Sequence, residues 1–242
     1  MAANPGAGAF ERAEPFPNGH LLWSPAQLHA RLGGPALALV DVRPTHQVLG
    51  GFIPGAAHFD LYGIGLGSTQ GPLLDEFVNL MRSLLGLRGV GHDKTVVFYE
   101  EQTGNRVARA FWLLEYLGHR DVHVLDGGIE AWIAAGYPLA REMAEPHAAS
   151  FKATPQKDLF IGADELHRRL QAGDIVPLDT RGDDEYFGRN KRGTARGGAL
   201  PKAVHLEWTR TLDERGRFKA ASELEALFRS VGITKDKAIA PY

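Results

Sequence analysis

Two Asp-x-Arg triplets are the residues of this sequence best suited to ordering a reactive loop or holding an anion. Asp41-Val42-Arg43 and Asp179-Thr180-Arg181 each end a short apolar run. Such runs predict buried strands, and open α/β sheets bind ligands beyond the carboxyl ends of their strands. Asp179 and Arg181 therefore either order a loop and its charge or form an ion pair that braces the turn, and we favour the ion pair.

A basic segment follows the second triplet. Residues 188–198 (GRNKRGTARGG) contain Arg189, Lys191, Arg192 and Arg196. A basic loop beside a pocket steers small anions towards it, but a glycine-rich charged loop is also typical of a flexible, solvated surface. We favour the solvated loop over the anion-steering loop.

Several other kinds of chemistry are excluded by the residue types. The sequence has no cysteine, so these 242 residues form no disulfide, thiolate metal site or thiol nucleophile. No His/Asp/Glu cluster has metal-ligand spacing, so we expect His58 and His205 to be structural, with no metal or cofactor. The run 63–67 (GIGLG) lacks the G-x-G-x-x-G spacing of a dinucleotide loop and is interpreted as a connection, and no G-x-S-x-G of a serine hydrolase occurs.

The composition is that of an ordinary globular protein, with 44% hydrophobic residues and a net charge of -2. This charge gives no bulk attraction to nucleic acid or to an anionic membrane. No apolar run approaches the roughly 20 residues that span a bilayer. Residues 1–20 lack the apolar core of a secretory signal, so we expect a disordered lead-in and a cytoplasmic protein.

Strands and helices alternate along the chain, which predicts an α/β fold with mostly parallel sheets flanked by helices. Ser24–Gln27 (SPAQ) and Ser222–Glu225 (SELE) have the capping residues of helix starts. The predicted strands are Ala36–Val42, one within Ile53–Phe59, Thr95–Tyr99, Val122–Leu125, Ile175–Asp179 and Ala238–Tyr242. The predicted helices are 24–32, Asp75–Leu87, Arg106–Leu117, one through Trp132, Ala163–Gln171 and one from the second cap to Val231. Their apolar faces predict that Phe111, Trp112 and Trp132 are core residues.

The second half of the chain repeats the first. Ile53–His58 (IPGAAH) matches Leu200–His205 (LPKAVH), and an Asp-Lys pair precedes both the strand ending at Tyr99 and the one ending at Tyr242. Such ordered matches predict a duplicated domain, and we divide the chain into domains at 21–139 and 161–242 joined by a linker at 140–160. The first half continues past Tyr99 with a helix, a strand and another helix. Because nothing corresponds to them in the second half, we expect an incomplete second domain: a fragment of a longer chain, a natural truncation or a domain completed by a partner.

Five segments of the sequence carry a family resemblance. They are Leu39–Arg43 (LVDVR), Gly51–Ala56 (GFIPGA), Val124–Trp132 (VLDGGIEAW), Leu178–Arg181 (LDTR) and the weaker Gly198–Ala203 (GALPKA). In this order they resemble the rhodanese family of thiosulfate/3-mercaptopyruvate sulfurtransferases. The resemblance covers residues 21–242 and implies two tandem rhodanese-like domains, of which the second is the catalytic type.

The resemblance also implies the chemistry. Two-domain members carry a cysteine directly after the strand that corresponds to Ala238–Tyr242, in a loop whose amides and helix N-terminus favour a thiolate and then a persulfide. Sulfur then passes from thiosulfate or mercaptopyruvate to cyanide or a thiol. Glu100 has the nucleophile's place in the first half, so we expect that half to be non-catalytic, and we expect the 242-residue chain to be inactive.

The substrate-binding candidates are Asp179, Arg181, Glu185 and Arg189. Glu185 stands where many members of the family have an arginine for the substrate anion, and Arg189 is a candidate substitute. The expected partners are a small anionic sulfur donor and a thiol or cyanide acceptor, with no nucleic acid and no membrane.

A second function remains open beside the sulfurtransferase. The chain is alternatively a non-catalytic rhodanese-like binding or regulatory module. The related phosphatase branch of the family is a distant third, since it too needs a cysteine loop.

Overall fold

The computed structural model describes residues 14–66 and 69–242, which form two compact units. Unit 1 comprises the described residues up to Phe160 together with Glu214–Phe218, and unit 2 comprises Ile161–Asp213 and Lys219–Tyr242. Most of the expected lead-in at residues 1–20 lies outside the described residues, although Gly19–Leu21 form a 3-10 turn. Gly67 of the glycine-rich connection is also outside them. The predicted α/β class is confirmed, and the domain boundaries stay a prediction.

Unit 1 contains a sheet of five strands, all of whose pairings are parallel. The strands are β1 (Leu22–Trp23), β2 (Leu37–Asp41), β3 (Ala57–His58), β4 (Thr95–Tyr99) and β5 (Val122–Leu125). Their order across the sheet is β1-β5-β4-β2-β3. The predicted bounds of β4 and β5 are confirmed, because these runs are continuous and apolar and lie in the middle of the sheet. β1 was not predicted, since two residues show no periodicity.

Four helices flank the unit 1 sheet. They are α1 (Pro25–His29), α2 (Pro72–Leu87), α3 (Asn105–Tyr116) and α4 (Gly128–Ala134). The capping box predicted at Ser24 is confirmed: Ser24 Oγ accepts from Gln27 N at 3.2 Å, and Gln27 Oε1 accepts from Ser24 N at 2.8 Å. α2 begins at Pro72, ahead of the predicted Asp75, because proline suits the first helical turn.

Buried side chains cover the unit 1 sheet in two clusters. One includes Phe98 and Leu114, and the other includes Ile53 and Trp132. Trp132 is fully buried, as predicted. Phe111 and Trp112 are only partly buried at the margin of the first cluster, and Trp112 keeps its indole N–H bonded to Leu159 O at 2.9 Å.

The segment predicted to be a linker packs along unit 1. Ala140 pairs with Phe52 in an antiparallel bridge, and Ala149 N donates to Gly86 O at 2.9 Å. A Cβ on Gly86 would lie 2.7 Å from Ala149 O, so this close approach depends on glycine. Phe151 is 4% exposed within the first core cluster. The segment therefore contributes to the packing of unit 1.

Unit 2 contains a parallel sheet of three strands in the order β7-β6-β8. The strands are β6 (Val176–Asp179), β7 (Val204–His205) and β8 (Ile239–Pro241), and the helices are α5 (Ala163–Ala172), α6 (Asp183–Tyr186) and α7 (Ala221–Ser230). Leu178, Leu206 and Ile233 form its buried cluster, with partly buried apolar residues around them. This core is smaller than either cluster of unit 1.

The predicted start of α7 was wrong. The helix begins at Ala221, so Ser222 lies inside its first turn rather than at the N-cap. Glu223 reaches back instead, and its Oε2 accepts from Ala220 N at 3.0 Å. The acidic half of the capping pair is thus Glu223 rather than Glu225, two residues earlier than the sequence pattern suggested.

Candidate functional site

The strongest polar cluster of unit 2 lies where β6 ends. Asp179 is fully buried, and both of its carboxylate oxygens accept from Arg181, at 2.9 Å from Nε and 2.5 Å from Nη2. Arg181 N also donates to Asp179 Oδ1 at 3.0 Å, and Nη2 donates to Gly198 O at 3.0 Å. The pair therefore fixes the turn after β6 and anchors the end of the basic loop, as the ion-pair interpretation expects.

Arg181 controls the protonation of this carboxyl group. Burial alone would raise the pKa of Asp179, but the hydrogen bonds from Arg181 outweigh it and hold the pKa below its ordinary value. Asp179 is therefore an anion at neutral pH, and its charge is committed to its arginine partner.

Tyr242 lies beside this pair, directly after β8. Its ring packs 5.3 Å from the Arg181 guanidinium, and its hydroxyl accepts from Leu200 N at 2.9 Å. Its carbonyl oxygen accepts from Thr180 N at 3.0 Å and from Thr180 Oγ1 at 2.9 Å. The backbone at the carboxyl end of β8 is thus fixed in position against the Asp179–Arg181 pair.

Unit 1 contains the same arrangement at the end of β2. Arg43 donates to both oxygens of Asp41 and to Gly51 O, and the Tyr99 hydroxyl accepts from Ile53 N at 3.2 Å. The histidines correspond as well, because His58 Nε2 lies 2.9 Å from Arg43 O and His205 Nε2 lies 2.9 Å from Arg181 O. Each histidine thus contacts the backbone carbonyl of the arginine in its own unit.

The two arrangements differ in exposure. The side chain of Arg43 is 4% exposed and that of Arg181 is 31% exposed. Tyr99 is fully buried, whereas Tyr242 is 36% exposed. Among the described residues, the unit 2 cluster is therefore more exposed to solvent than the unit 1 cluster.

The fold places Glu185 next to Arg181, but it does not place Arg189 there. Glu185 Oε1 lies 3.9 Å from Arg181 Nη1, and its Oε2 lies 3.2 Å from Arg192 Nη2. Arg189 instead pairs with Asp184 at 2.6 Å and stacks over the ring of Phe187. The binding roles of Asp179, Arg181, Glu185 and Arg189 stay a prediction.

Sequence analysis did not predict the aromatic residues Tyr186 and Phe187, which lie beside His205. The Tyr186 ring stacks on His205 with 4.2 Å between centroids, and Phe187 is 61% exposed. The only sequence signal near them was the recurrence of histidine at positions 58 and 205 in the repeat, which does not identify the ring that His205 contacts. These aromatic residues give the exposed side of the cluster an apolar wall.

In unit 1 the loop after β4 begins with Glu100, as predicted. Glu100 is 9% exposed, and its Oε1 accepts from Val107 N at 2.8 Å in the first turn of α3. Burial raises the pKa of Glu100, and the hydrogen bond from Val107 opposes this rise. The carboxylate thus occupies the amide groups that would otherwise face an external anion.

The described residues offer no metal centre, because nowhere in 14–66 or 69–242 do three or more His, Asp or Glu residues converge as ligands. In the same ranges, no helix is both long enough and apolar enough to cross a bilayer.

Known proteins match this chain over most of its length. A model of the rhodanese-like domain matches residues 24–135. The thiosulfate sulfurtransferase of Azotobacter vinelandii is 34% identical over 219 residues, which are 90% of this chain and 80% of that protein. The thiosulfate sulfurtransferase of Pseudomonas aeruginosa is 32% identical over the same shares.

Solved structures share the fold. SseA from Escherichia coli, whose crystal structure is described as a 3-mercaptopyruvate sulfotransferase with the rhodanese fold, matches with a TM-score of 0.77 at 24% identity over 91% of this chain and 87% of its own. An anaerobic ergothioneine biosynthesis enzyme from Chlorobium limicola matches with a TM-score of 0.81 at 19% identity over 98% of this chain and 63% of its own. With this fold, and with thiosulfate sulfurtransferases as relatives over nine-tenths of its sequence, the chain belongs to the rhodanese family.

Proposed function

We propose that this protein is a sulfurtransferase that carries sulfane sulfur on a cysteine directly after Tyr242. In the first step the thiolate attacks the outer sulfur of thiosulfate, an S–S bond forms to the cysteine, and sulfite leaves with the electron pair of the broken bond. In the second step cyanide or a thiol takes the outer sulfur, and the cysteine thiolate is regenerated. 3-Mercaptopyruvate is the alternative donor and leaves pyruvate.

The position of the Tyr242 carbonyl is the observation that carries this proposal. Thr180 holds that oxygen through its amide and its hydroxyl, at 3.0 Å and 2.9 Å. In unit 1 Val42 N holds Tyr99 O at 2.9 Å, and the chain continues from Tyr99 through a loop into α3. A residue after Tyr242 is expected to enter a loop of the same kind, where backbone amides stabilise a thiolate.

The charged residues around this junction support separate roles. Arg181 positions Tyr242 because its guanidinium is committed to Asp179 and Gly198. Glu185 repels a donor anion unless Arg181 and Arg192 neutralise it, and both lie within 4 Å of it. Arg189 is more than half exposed and would attract an approaching small anion.

Two further parts of the proposal concern the chain as a whole. We propose that unit 1 and unit 2 arose by duplication, supported by the matching Asp–Arg–Tyr–His hydrogen bonds at Asp41 and Asp179.

A cytoplasmic location stays a prediction, to be tested by cell fractionation.

One observation favours the alternative of a non-catalytic binding or regulatory module. The 242 residues contain no cysteine. In that case the cluster at Asp179 would bind its partner without exchanging sulfur.

The two functions are separated by a thiocyanate assay with thiosulfate and cyanide. We expect no turnover by the 242-residue chain, because it has no thiol. We expect turnover by a chain that includes the encoded residues after Tyr242, and its loss when the first of them is changed from cysteine to serine. Turnover by the cysteine-free chain contradicts the persulfide mechanism, and a longer chain without a cysteine at that place supports the binding module.

A further inference from the structure

A second binding arrangement lies within unit 1, on the loop 100–105 that follows β4. The loop is held in place by its own backbone. Ile129 N donates to Glu100 O at 2.9 Å, and Glu130 N donates to Glu101 O at 3.1 Å. The buried Glu100 carboxylate ties the same loop to the first turn of α3. The loop is therefore preformed, although the proposed sulfur chemistry does not use it.

The segment Glu214–Phe218 (ERGRF) of unit 1 lies on this loop. Thr103 N donates to Gly216 O at 2.8 Å, and Gly216 is buried. The Thr103 hydroxyl accepts from Gly127 N at 2.8 Å, which joins the loop to the turn that precedes α4. Thr103 thus bonds to the segment through its amide and to the turn 126–128 through its hydroxyl.

The contact requires glycine at two places. Gly216 has a φ of +65°, and a Cβ there would lie 2.4 Å from Gln102 Cδ and 2.6 Å from Gln102 Cβ. A Cβ on Gly127, whose φ is +81°, would lie 2.9 Å from Arg217 Cγ. The space beside Gln102 therefore accepts glycine and no residue with a side chain. The absence of a side chain at Gly127 leaves room for the aliphatic part of the Arg217 side chain.

The charges of loop and segment are complementary. The loop side carries Glu101, Asp126 and Glu130, of which Asp126 is 6% exposed and Glu130 accepts from Gln102 Nε2 at 2.6 Å. The segment carries Arg215 and Arg217 on either side of its glycine, and with Glu214 its two positive charges and one negative charge leave it net cationic. An acidic loop of this kind favours a cationic turn over an acidic or neutral one.

We propose that loop 100–105 and turn 126–128 form a binding site for a glycine–arginine turn, with segment 214–218 as its resident ligand. The loop that would present a nucleophile in a catalytic copy recognises a peptide in this copy. The site stands on contacts inside unit 1 and does not depend on whether the protein transfers sulfur. When the segment is displaced, the vacated site accepts a separate peptide of the same chemistry.

Release of the segment is tested by limited trypsin digestion, which cuts after Arg215 and Arg217. Gly216→Ala places a Cβ against Gln102 and should speed cleavage at Arg217 by about tenfold or more, since the segment leaves its site. Gly232→Ala is the matched control, because Gly232 has a φ of +78° and nothing within 4 Å of a Cβ. Equal cleavage at Arg217 in the two variants overturns the proposal.

Binding of a separate peptide to the loop, once segment 214–218 has left it, is measured with a fluorescent peptide of residues 212–220 (LDERGRFKA). The peptide should bind the Gly216→Ala chain and neither the wild-type chain nor the Gly232→Ala chain. A peptide with alanine in place of its glycine should not bind. Binding to wild type and Gly216→Ala alike, or no binding once trypsin has shown release, contradicts a peptide site.

If the Gly216→Ala chain does not fold, the rates of trypsin cleavage at different arginines of the wild-type chain test the proposal instead. Arg192 and Arg196 lie in the exposed loop 188–198 of the same molecule. Cleavage there should be at least about tenfold faster than cleavage at Arg217, because only Arg217 is held. Cleavage of Arg217 at the rate of Arg196 overturns the proposal.

Discussion

At the scale of single residues, the molecule repeats one polar group at the carboxyl ends of its strands. Aspartate, arginine, tyrosine and histidine make the same hydrogen bonds at Asp41 and at Asp179. The arginine is fixed by a fully buried carboxylate in both places. The residue types are the same in both places, and the arginine and the tyrosine of the second are the more exposed among the described residues.

Removal of the Asp179 charge tests how far this group stabilises unit 2. Asp179→Asn should lower the free energy of unfolding by about 1–3 kcal/mol, because Arg181 loses its partner while remaining partly solvated. Asp184→Asn is the control, since Asp184 is 70% exposed and pairs at the surface. Urea unfolding measures both, and equal small losses would show that the buried pair stabilises nothing.

A buried histidine is expected to give unit 1 a pH dependence of stability. His119 is 3% exposed, its Nδ1 accepts from Asp121 N at 3.2 Å, and its Nε2 lies 3.1 Å from Gly91 O. Burial lowers the pKa of His119, and the neighbouring His92 acts in the same direction. The folded state therefore binds the proton less readily than the unfolded state does.

The expected result is a loss of stability on acidification. The contribution of neutral His119 is fully present above its ordinary pKa of 6.5 and declines as the pH falls below that value. His119→Gln should reduce the slope of unfolding free energy against pH between about 7 and 5, and exposed His147→Gln should not. Urea titrations at several pH values measure the slopes, and identical slopes for all chains would exclude His119 as the source.

At the scale of elements, the segment 140–160 behaves as part of the fold of unit 1. Its backbone bonds to the ends of α2 and α3, through Gly86 O and Leu117 O. Phe151 inserts into the core, where its ring packs 6.0 Å from that of His119. The segment therefore closes the side of the sheet that α2 and α3 cover.

Truncation of this aromatic anchor should destabilise unit 1. Phe151→Ala is expected to cost about 3–5 kcal/mol, because it opens a cavity in the core. Met143→Ala lies in the same segment at a residue that is 47% exposed and should change stability by less than about 0.5 kcal/mol. Thermal unfolding compares the two, and similar midpoints would mean that the segment is not anchored.

At the scale of the whole molecule, the two units have unequal cores. Unit 1 has two buried clusters on a five-stranded sheet, and unit 2 has one small cluster on a three-stranded sheet. Unit 2 also has a cleft of about 430 Å³ between α5 and the turn at Pro201, beside Leu200, which is 37% exposed. A smaller buried apolar area gives a lower free energy of local opening.

Hydrogen exchange should therefore separate the units. Amides of β6 are expected to exchange about tenfold faster or more than those of β2, although both strands end in the same Asp-x-Arg turn. Native-state exchange followed by mass spectrometry measures peptides from each strand in one experiment. Equal protection would mean that the small core of unit 2 does not limit its stability.

The features that could be predicted from the sequence are those set by interactions between residues close together in the chain. The bounds of β4 and β5 and the cap at Ser24 followed from the sequence, because an apolar run or a capping pair acts within a few residues. The Asp-x-Arg pairs were predictable for the same reason, since Asp179 and Arg181 are two positions apart. The start of α7 was missed because serine is the better N-cap residue in the sequence pattern, whereas the helix begins two residues earlier, with Ala220 at the N-cap and Glu223 reaching back to it.

The sequence by itself determined the α/β class, the family and the ion pairs that end its strands. Only the tertiary structure decided which distant groups meet: the Tyr242 hydroxyl with Leu200 N, the segment 140–160 with unit 1, and Gly216 with Thr103. The reason is physical. These contacts join residues tens of positions apart, so they form only once burial of the apolar strands has brought the chain together, and no short-range pattern records them.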